Sequence, residues 1–463
     1  MRTSSAEVLI ELDRSRPRGL RAQVEDELRD AIRAGRLPPG ALLPSTRALA
    51  QDLGVTRGVI VDAYDQLIAE GYLAARPGSG TVVNAAAVRP AVRAPPTTNA
   101  ARDLVDFRTA HPDLSLFPRS AWLRATRAAL LTLPDEHLGY ADPRGLPQLR
   151  SAVVEYLGRV RGVTTDADRV VICNGFGHGL SLVVRALRDT GHELFAVEDP
   201  GHNGPRDELD WLGARHRGVA VDADGVIVER LRRSRARAVL VTPAHQYPTG
   251  AVLAPARRQA LVAWAGAVDG YVIEDDYDAE YRYDRHPVGA LQGLAPDRVI
   301  YSGTLSKSLA PGLRLGWLVL PPPLVEPLAR DRKLTDHATS SHLQATCAAF
   351  LANGDLDRHL RRTRRVYRQR RDALIDALAR YLPDATPSGI AAGLHVLVTL
   401  PSGLDEARVT EQAADAGVRV YPLRTYCTTR RSDTPPALVL GYGNLTPAAI
   451  EQGVRTLARA VAT

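Results

Sequence analysis

A chain of 463 residues is too long for one ordinary hydrophobic core, so two or three domains are expected. Hydrophobic residues at 45% and charged residues at 24% exclude a mostly disordered chain, and a net charge of +7 permits an acidic partner without proving one. Three widely separated cysteines (Cys173, Cys347, Cys427) give neither a disulfide framework nor a metal signature. The opening residues lack the apolar core of a signal peptide, and no run approaches the roughly 18 apolar residues of a membrane span. A cytoplasmic protein without membrane attachment is expected.

In chain order, residues 1–83 predict three helices and a hairpin. QVEDELRDAIRA (23–34) places Val24, Leu28 and Ile32 on one helical stripe. Pro44-Ser45-Thr46 offers an N-cap to a short helix that Gly54 closes. RGVIVDAYDQLIAEG follows Thr56 as a second helix with Val59, Ala63 and Leu67 inward. YLAARPGSGTVV then reads as a hairpin or wing. Residues 1–83 hold 11 arginines and 11 acidic residues, so total charge argues nothing. Distribution does: Glu25, Asp26, Glu27 and Asp30 crowd the first helix, while Arg47, Arg57 and Arg76 fall at helix starts and wing. Those are the places a winged helix presents to DNA. On pattern alone, a solvated three-helix module with surface arginines explains the segment equally well.

Residues 84–104, rich in Ala, Pro and Thr without apolar period, read as a linker. From 105 to 463, apolar runs ending in Gly, Asp or Pro turns alternate with helical patterns, which predicts an α/β unit around a mostly parallel sheet. Ligands on such sheets bind beyond the carboxyl ends of the strands. Asn174-Gly175-Phe176-Gly177-His178-Gly179, between a strand-like run and a helix, bares N–H groups suited to a phosphate, although glycine turns before helices are common. Glu274-Asp275-Asp276-Tyr277-Asp278 packs carboxylates at a strand end, which calls for a cation or a solvated turn. Only two lysines occur among 59 basic residues. Lys333 sits in a charged helical stretch and reads as surface. Lys307, within SGTLSKS and followed by PGLRLG, could instead form a Schiff base with an aldehyde cofactor while the hydroxyls and Arg314 hold a phosphate. An exposed surface lysine is the bland alternative.

The run PPGALLPSTRALAQDLGVTRGVIVDAYDQLIAEGYLAARPGSGTVV resembles the DNA-binding domain of the GntR family of bacterial regulators. The resemblance implies DNA contacts at Ser45, Arg47, Thr56, Arg57 and Gly80. Residues 105–463 resemble fold-type I aminotransferases, which bind pyridoxal 5'-phosphate (PLP). The segments FRTAHPDLSLFP, GYADPRGLPQLR, VEDPGHNGPR, PAHQYPTG, EDDYDAEYRY and SGTLSKSLAPGLRLG together resemble the MocR subfamily of GntR-type regulators.

That resemblance implies a Schiff base between PLP and Lys307, with Asp275 at the pyridine nitrogen, its neighbour Asp276 remaining an alternative, and Tyr277 at the phenolic oxygen. It further implies a phosphate site of Gly175, Phe176, Gly177, Thr304, Ser306 and Arg314. Tyr140 would reach the phosphate, in this fold often from the partner subunit. Several positions depart from the pattern. His202 stands where a stacking tyrosine is common, Gly177 and His178 where glutamine is common, and Tyr247 where enzymes carry asparagine before P-T-G. ALVLGYGNL replaces the segment that carries the substrate-carboxylate arginine in many enzymes, leaving Arg424, or Arg430 and Arg431, as candidates for an effector carboxylate.

The expectation is a PLP-responsive transcription factor: a homodimer, packed head-to-tail, that binds double-stranded DNA at two half-sites. It would sense an amino compound or PLP itself without efficient turnover. An active aminotransferase with a secondary DNA head, and a DNA-binding scaffold with an inert large domain, are the rival readings.

Overall fold

A computed structural model of the protein describes residues 10, 12–14, 19–76, 80–84, 105–283, 288–428 and 435–461. The chain divides into two compact units, Met1–Ala100 and Ala101–Thr463. The segment read as a linker lies outside the described residues except for Asn84.

In the small unit, helix α1 (Leu20–Arg33) buries Val24, Leu28 and Ile32 completely, as its stripe requires. Ser45 caps α2 (Thr46–Leu53) by accepting a hydrogen bond from the Ala48 N–H at 3.2 Å, and Gly54, at φ +62°, lets the chain leave in the left-handed region. Helix α3 (Arg57–Ala69) buries Ile60, Ala63, Tyr64 and Leu67, while Val59 is only half-buried. Strands β1 (Leu73–Arg76) and β2 (Gly80–Val83) pair antiparallel, with Leu73 opposite Val83.

The large unit opens with β3 (Val105–Asp106), α4 (Arg119–Thr132) and α5 (Pro147–Arg161). Its main sheet then builds from β4 (Val170–Cys173), β5 (Leu194–Asp199), β6 (Arg215–Asp222), β7 (Gly225–Val226), β8 (Ala238–Val241), β9 (Tyr271–Asp276), β10 (Val299–Thr304) and β11 (Gly316–Val319). The spatial order is β4-β11-β10-β9-β8-β5-β6-β7. From β10 to β6 every pairing is parallel, and β4, β8 and β10 are buried along their whole length, as a sheet covered on both faces demands. The sheet is nonetheless mixed, because β11 runs antiparallel between β10 and β4, and β7 antiparallel at the far edge. The link from β10 to β11, residues 305–315, has no room for a parallel crossover with a full helix. That link carries Lys307.

Helices α6 (Phe176–Asp189), α7 (Asn203–Trp211), α8 (Val228–Arg233), α9 (Pro255–Ala267) and α10 (Pro322–Thr335) connect or flank these strands, and α11 (Ser341–Ala352) and α12 (Asp355–Tyr381) follow. A second, antiparallel sheet joins β12 (Thr386–Ser388), β13 (His395–Thr399), β16 (Ala437–Gly441) and β15 (Tyr421–Pro422) in that order. Helix α13 (Glu406–Asp415), strand β14 (Val418–Arg419), which pairs with β3, and α14 (Pro447–Val461) complete the unit. Among the described residues no helix is long and apolar enough to cross a membrane.

Candidate functional site

In the small unit the five positions expected to meet DNA, Ser45, Arg47, Thr56, Arg57 and Gly80, are all exposed. Two are already engaged locally: Ser45 caps α2, and the Arg57 Nε donates to Thr46 Oγ1 at 3.4 Å, which ties the start of α3 to α2. Gly80, at φ +91°, begins the returning strand of the wing, whose tip at 77–79 lies outside the described residues. The two helix starts and the wing strand are thus open to solvent, as a surface that meets phosphates and base edges must be.

In the large unit, β4, β5, β8, β9 and β10 all release their chains around one cleft of about 320 Å³. Phe176, Gly177, His202, Asp275, Tyr277, Thr304, Ser306, Lys307 and Arg314 line it. Gly175 is not part of the lining but is the N-cap of α6, at φ +85°, and a Cβ there would lie 3.2–3.3 Å from the Arg314 guanidinium. Arg314 itself sits at φ +48° and donates to the Asn174 carbonyl at 2.7 Å. Thr304 Oγ1 lies 2.9 Å from Ser306 Oγ and accepts from the Ser306 N–H. A helix N-terminus, two hydroxyls and a guanidinium thus lie along the cleft, donors of the kind that can hold an anion.

The adjacent aspartates at the end of β9 point to opposite sides, as strand alternation dictates. Asp276 is buried against Arg161 and accepts from Tyr301 at 2.6 Å. Asp275 faces the cleft, and its buried Oδ1 has no hydrogen-bond partner among the described residues. Burial, then Asp276, hold the Asp275 carboxyl well above the usual carboxylate range, while Lys307 opposes them. A cationic group brought against it would favour its ionised form. Burial lowers the Lys307 ammonium, with Asp275 and Asp278 working against it, so the amine is closer to its nucleophilic neutral form. Desolvation first, then Lys307 and Arg206, push the His202 ring down to about 4, leaving a neutral ring on the cleft wall whose Nδ1 accepts from Gly204. The Tyr277 hydroxyl donates to the His245 carbonyl at 3.0 Å.

Not every expected residue joins this cleft. Tyr140 is 91% exposed, its ring 5.1 Å from that of His337, outside the cleft lining. Arg424 lies outside it too, with its guanidinium 3.5 Å from Asp405, and Arg430 and Arg431 fall outside the described residues. Lys333 is exposed on α10. The cleft also contains residues that sequence reasoning passed over: Ala110, Thr242 and Glu208. Tyr247, noted only as a departure, lines the cleft with its hydroxyl 2.7 Å from Thr109 Oγ1. Behind Tyr277 lies a buried group of His245, Asp278 and His395, of which the sequence marks Asp278 in its strand-end carboxylates and His245 in PAHQYPTG, but not His395.

The family model described as aminotransferase class I and II matches residues 110–457, and that of bacterial regulatory proteins, gntR family, matches residues 20–83. The chain is 33% identical to the probable rhizopine catabolism regulatory protein MocR of Rhizobium meliloti, covering 97% of this chain and 95% of that protein. It is 34% identical to the pyridoxine biosynthesis transcriptional regulator PdxR of Corynebacterium glutamicum, covering 95% of each. Among solved structures, a kynurenine aminotransferase of Pyrococcus horikoshii in complex with PMP superposes with a TM-score of 0.72 at 26% identity, covering 78% of this chain and 91% of that one.

Proposed function

The chain belongs to the MocR subfamily of GntR-type transcriptional regulators, and from that premise we propose that it is a cytoplasmic sensor in which PLP at Lys307 reports on a small amino compound, or on PLP supply, to an operator. The observation that carries this reading is the meeting of Lys307, Asp275 and Tyr277 with an anion cradle in one cleft. The residues fit the group: the orphaned Asp275 Oδ1 wants a cationic partner, and at Gly175 the Arg314 guanidinium comes within 3.2–3.3 Å of where a Cβ would lie, so a side chain there would push it aside.

When bound, PLP supplies an aldehyde carbon and an electron-withdrawing ring. The N-terminus of α6, with Thr304, Ser306 and Arg314, would hold its phosphate. Asp275 would hold the ring nitrogen, Tyr277 the phenolic oxygen, and His202 one face of the ring. Lys307, its ammonium already disfavoured by burial, would attach through Nζ. With PLP held there, an effector amine would compete with Lys307 for the aldehyde carbon, and it would signal only if it favoured one arrangement of the units over another.

A homodimer, packed head-to-tail, completes the reading and would engage two half-sites. Exposed Leu123, Leu130 and Leu131 on α4, with Leu138 and Tyr140 just beyond, offer an apolar face for a second copy. Tyr140 would then reach the phosphate of the partner's cleft. For an effector carboxylate, Arg424 and Arg430 stay the sequence candidates.

Lysine, aspartate and tyrosine together also permit aminotransferase chemistry, and an active enzyme with a secondary DNA head is the second reading. Purified protein with PLP, mixed with fragmented genomic DNA of its source, should retain a few fragments that share a paired motif. No enrichment, together with efficient multiple turnover of an amino donor and a keto acceptor, would overturn the regulator.

A further inference from the structure

Resting on that reading of the cleft, we propose that His245 and Asp278 form a positioning dyad that aims the Tyr277 hydroxyl into the cleft. The two side chains come from different strands, His245 from the turn after β8 and Asp278 from just beyond β9, and they are 3% and 2% exposed. His245 Nδ1 stands 3.0 Å from Asp278 Oδ2 and 3.2 Å from Oδ1. An ionised carboxylate only accepts, so this contact keeps the imidazole proton on Nδ1. The Tyr277 hydroxyl lies 3.2 Å from the same Nδ1 and 3.0 Å from the His245 carbonyl. With Nδ1 occupied by a proton, the phenol cannot donate to the ring. Its proton is left two destinations, the His245 carbonyl and an oxygen within the cleft. The dyad therefore removes the ring nitrogen as an acceptor, so that the His245 carbonyl alone competes with a cleft oxygen for the phenolic proton.

The packing around the dyad is built for it. Gly393, at φ +68°, enters from the second sheet, and a Cβ there would collide with both His245 and Asp278. His395, at the start of β13, closes the other side, 5.0 Å from the His245 ring and 4.9 Å from the Tyr247 ring, with its Nε2 buried and unpartnered. The remaining ionisable groups that face the dyad and Tyr277 are Asp275, Glu198, Tyr247 and Lys307, with His202 beyond and Tyr283 and Tyr442 behind Asp278. None of them stands between His245 Nδ1 and the phenol.

The test follows the visible absorption of PLP bound to the full-length protein as pH is varied. Wild type should show a titrating band, and Tyr277→Phe should shift its midpoint. His245→Gln, which leaves the Asp278 carboxylate in place beside Lys307, should shift the midpoint in the same direction, and the Tyr277→Phe/His245→Gln double variant should move no further than Tyr277→Phe alone, because His245 acts through the phenol. His245→Asn, alone and with Tyr277→Phe, gives the same comparison should His245→Gln fail to fold. A wild-type midpoint in the single variant, or additive shifts in the double, overturns the dyad. Stoichiometric zinc in the purified protein that Asp278→Asn removes also overturns it, since the group would then be a metal site. A wild type with no titrating band defeats the reading of the cleft itself, and the dyad with it.

Discussion

Arg161 and Asp276 form a bidentate pair sealed from solvent, with Nε to Oδ2 at 2.7 Å and NH2 to Oδ1 at 3.1 Å. That pair decides which of two neighbouring aspartates is free for chemistry. Asp276 is committed to the core, and Asp275 alone turns towards the cleft.

Asp276→Asn should therefore destabilise the large unit by about 3–5 kcal/mol, since it strands the buried Arg161 charge. Asp275→Asn should cost little stability, because its carboxyl gains nothing from burial, but should weaken PLP binding. Denaturant melts and PLP titrations of the two variants separate these effects. Equal stability losses would contradict the assignment.

Lys307→Ala should abolish the borohydride-stable attachment of PLP, read by intact mass. It should leave the fold at least as stable, because a buried amine is removed, and DNA binding should persist with an altered response to PLP. A variant that still traps PLP covalently would place the attachment elsewhere.

Gly175→Ala introduces a Cβ against the Arg314 guanidinium at a backbone angle open to glycine. The strain should cost about 1–3 kcal/mol and displace Arg314 from the phosphate side of the cleft. PLP affinity should fall with the attachment at Lys307 intact. Unchanged affinity would mean that the cradle lies elsewhere.

Arg57→Ala should weaken operator binding by about 1–3 kcal/mol if its side chain reads a base edge. Ser45→Ala removes the α2 cap as well, and should cost the small unit about 0.5–2 kcal/mol of stability. Melting curves beside binding curves distinguish the cap from the contact.

His359 is buried beside the lysine segment, its Nε2 2.8 Å from the Ser308 carbonyl. Burial first, then Arg362, push it down to about 4, against the effect of that bond. An unfolded histidine titrates near 6.5. Between those values the unfolded chain binds more protons, so stability is complete above about pH 6.5 and is lost as pH falls towards 4. One proton contributes at most about 1.4 kcal/mol per pH unit. His359→Gln should flatten that acid slope in urea melts at pH 7 and 5.

The sequence makes some of this legible and hides the rest for physical reasons. Val24, Leu28 and Ile32 announce α1 because helical burial repeats locally, and Ser45 and Gly54 bracket α2 through short-range capping. Lys307 is conspicuous against an arginine-rich background. The choice between Asp275 and Asp276 is not legible, because it depends on Arg161, more than a hundred residues away. His245, Asp278 and His395 meet only when β8, β9 and β13 are assembled, so no spacing along the chain predicts them. Tyr140 is exposed outside the lining of its own cleft, and the place proposed for it depends on a second copy and not on neighbours along the chain. The antiparallel β11 is missed because apolar runs carry no direction.

The order of the main sheet sets a timetable for biosynthesis. Strand β11 lies between β4 and β10, and Arg314, just before it, clasps the carbonyl of Asn174, just after β4. As the chain leaves the ribosome, the small unit is complete after about its first eighty residues and can fold alone. Strand β4 must wait nearly 150 residues more for its neighbour, and the anion cradle closes only then. The helices and wing of the small unit are thus all synthesised well before β11 can join β4, so the two units need not fold together.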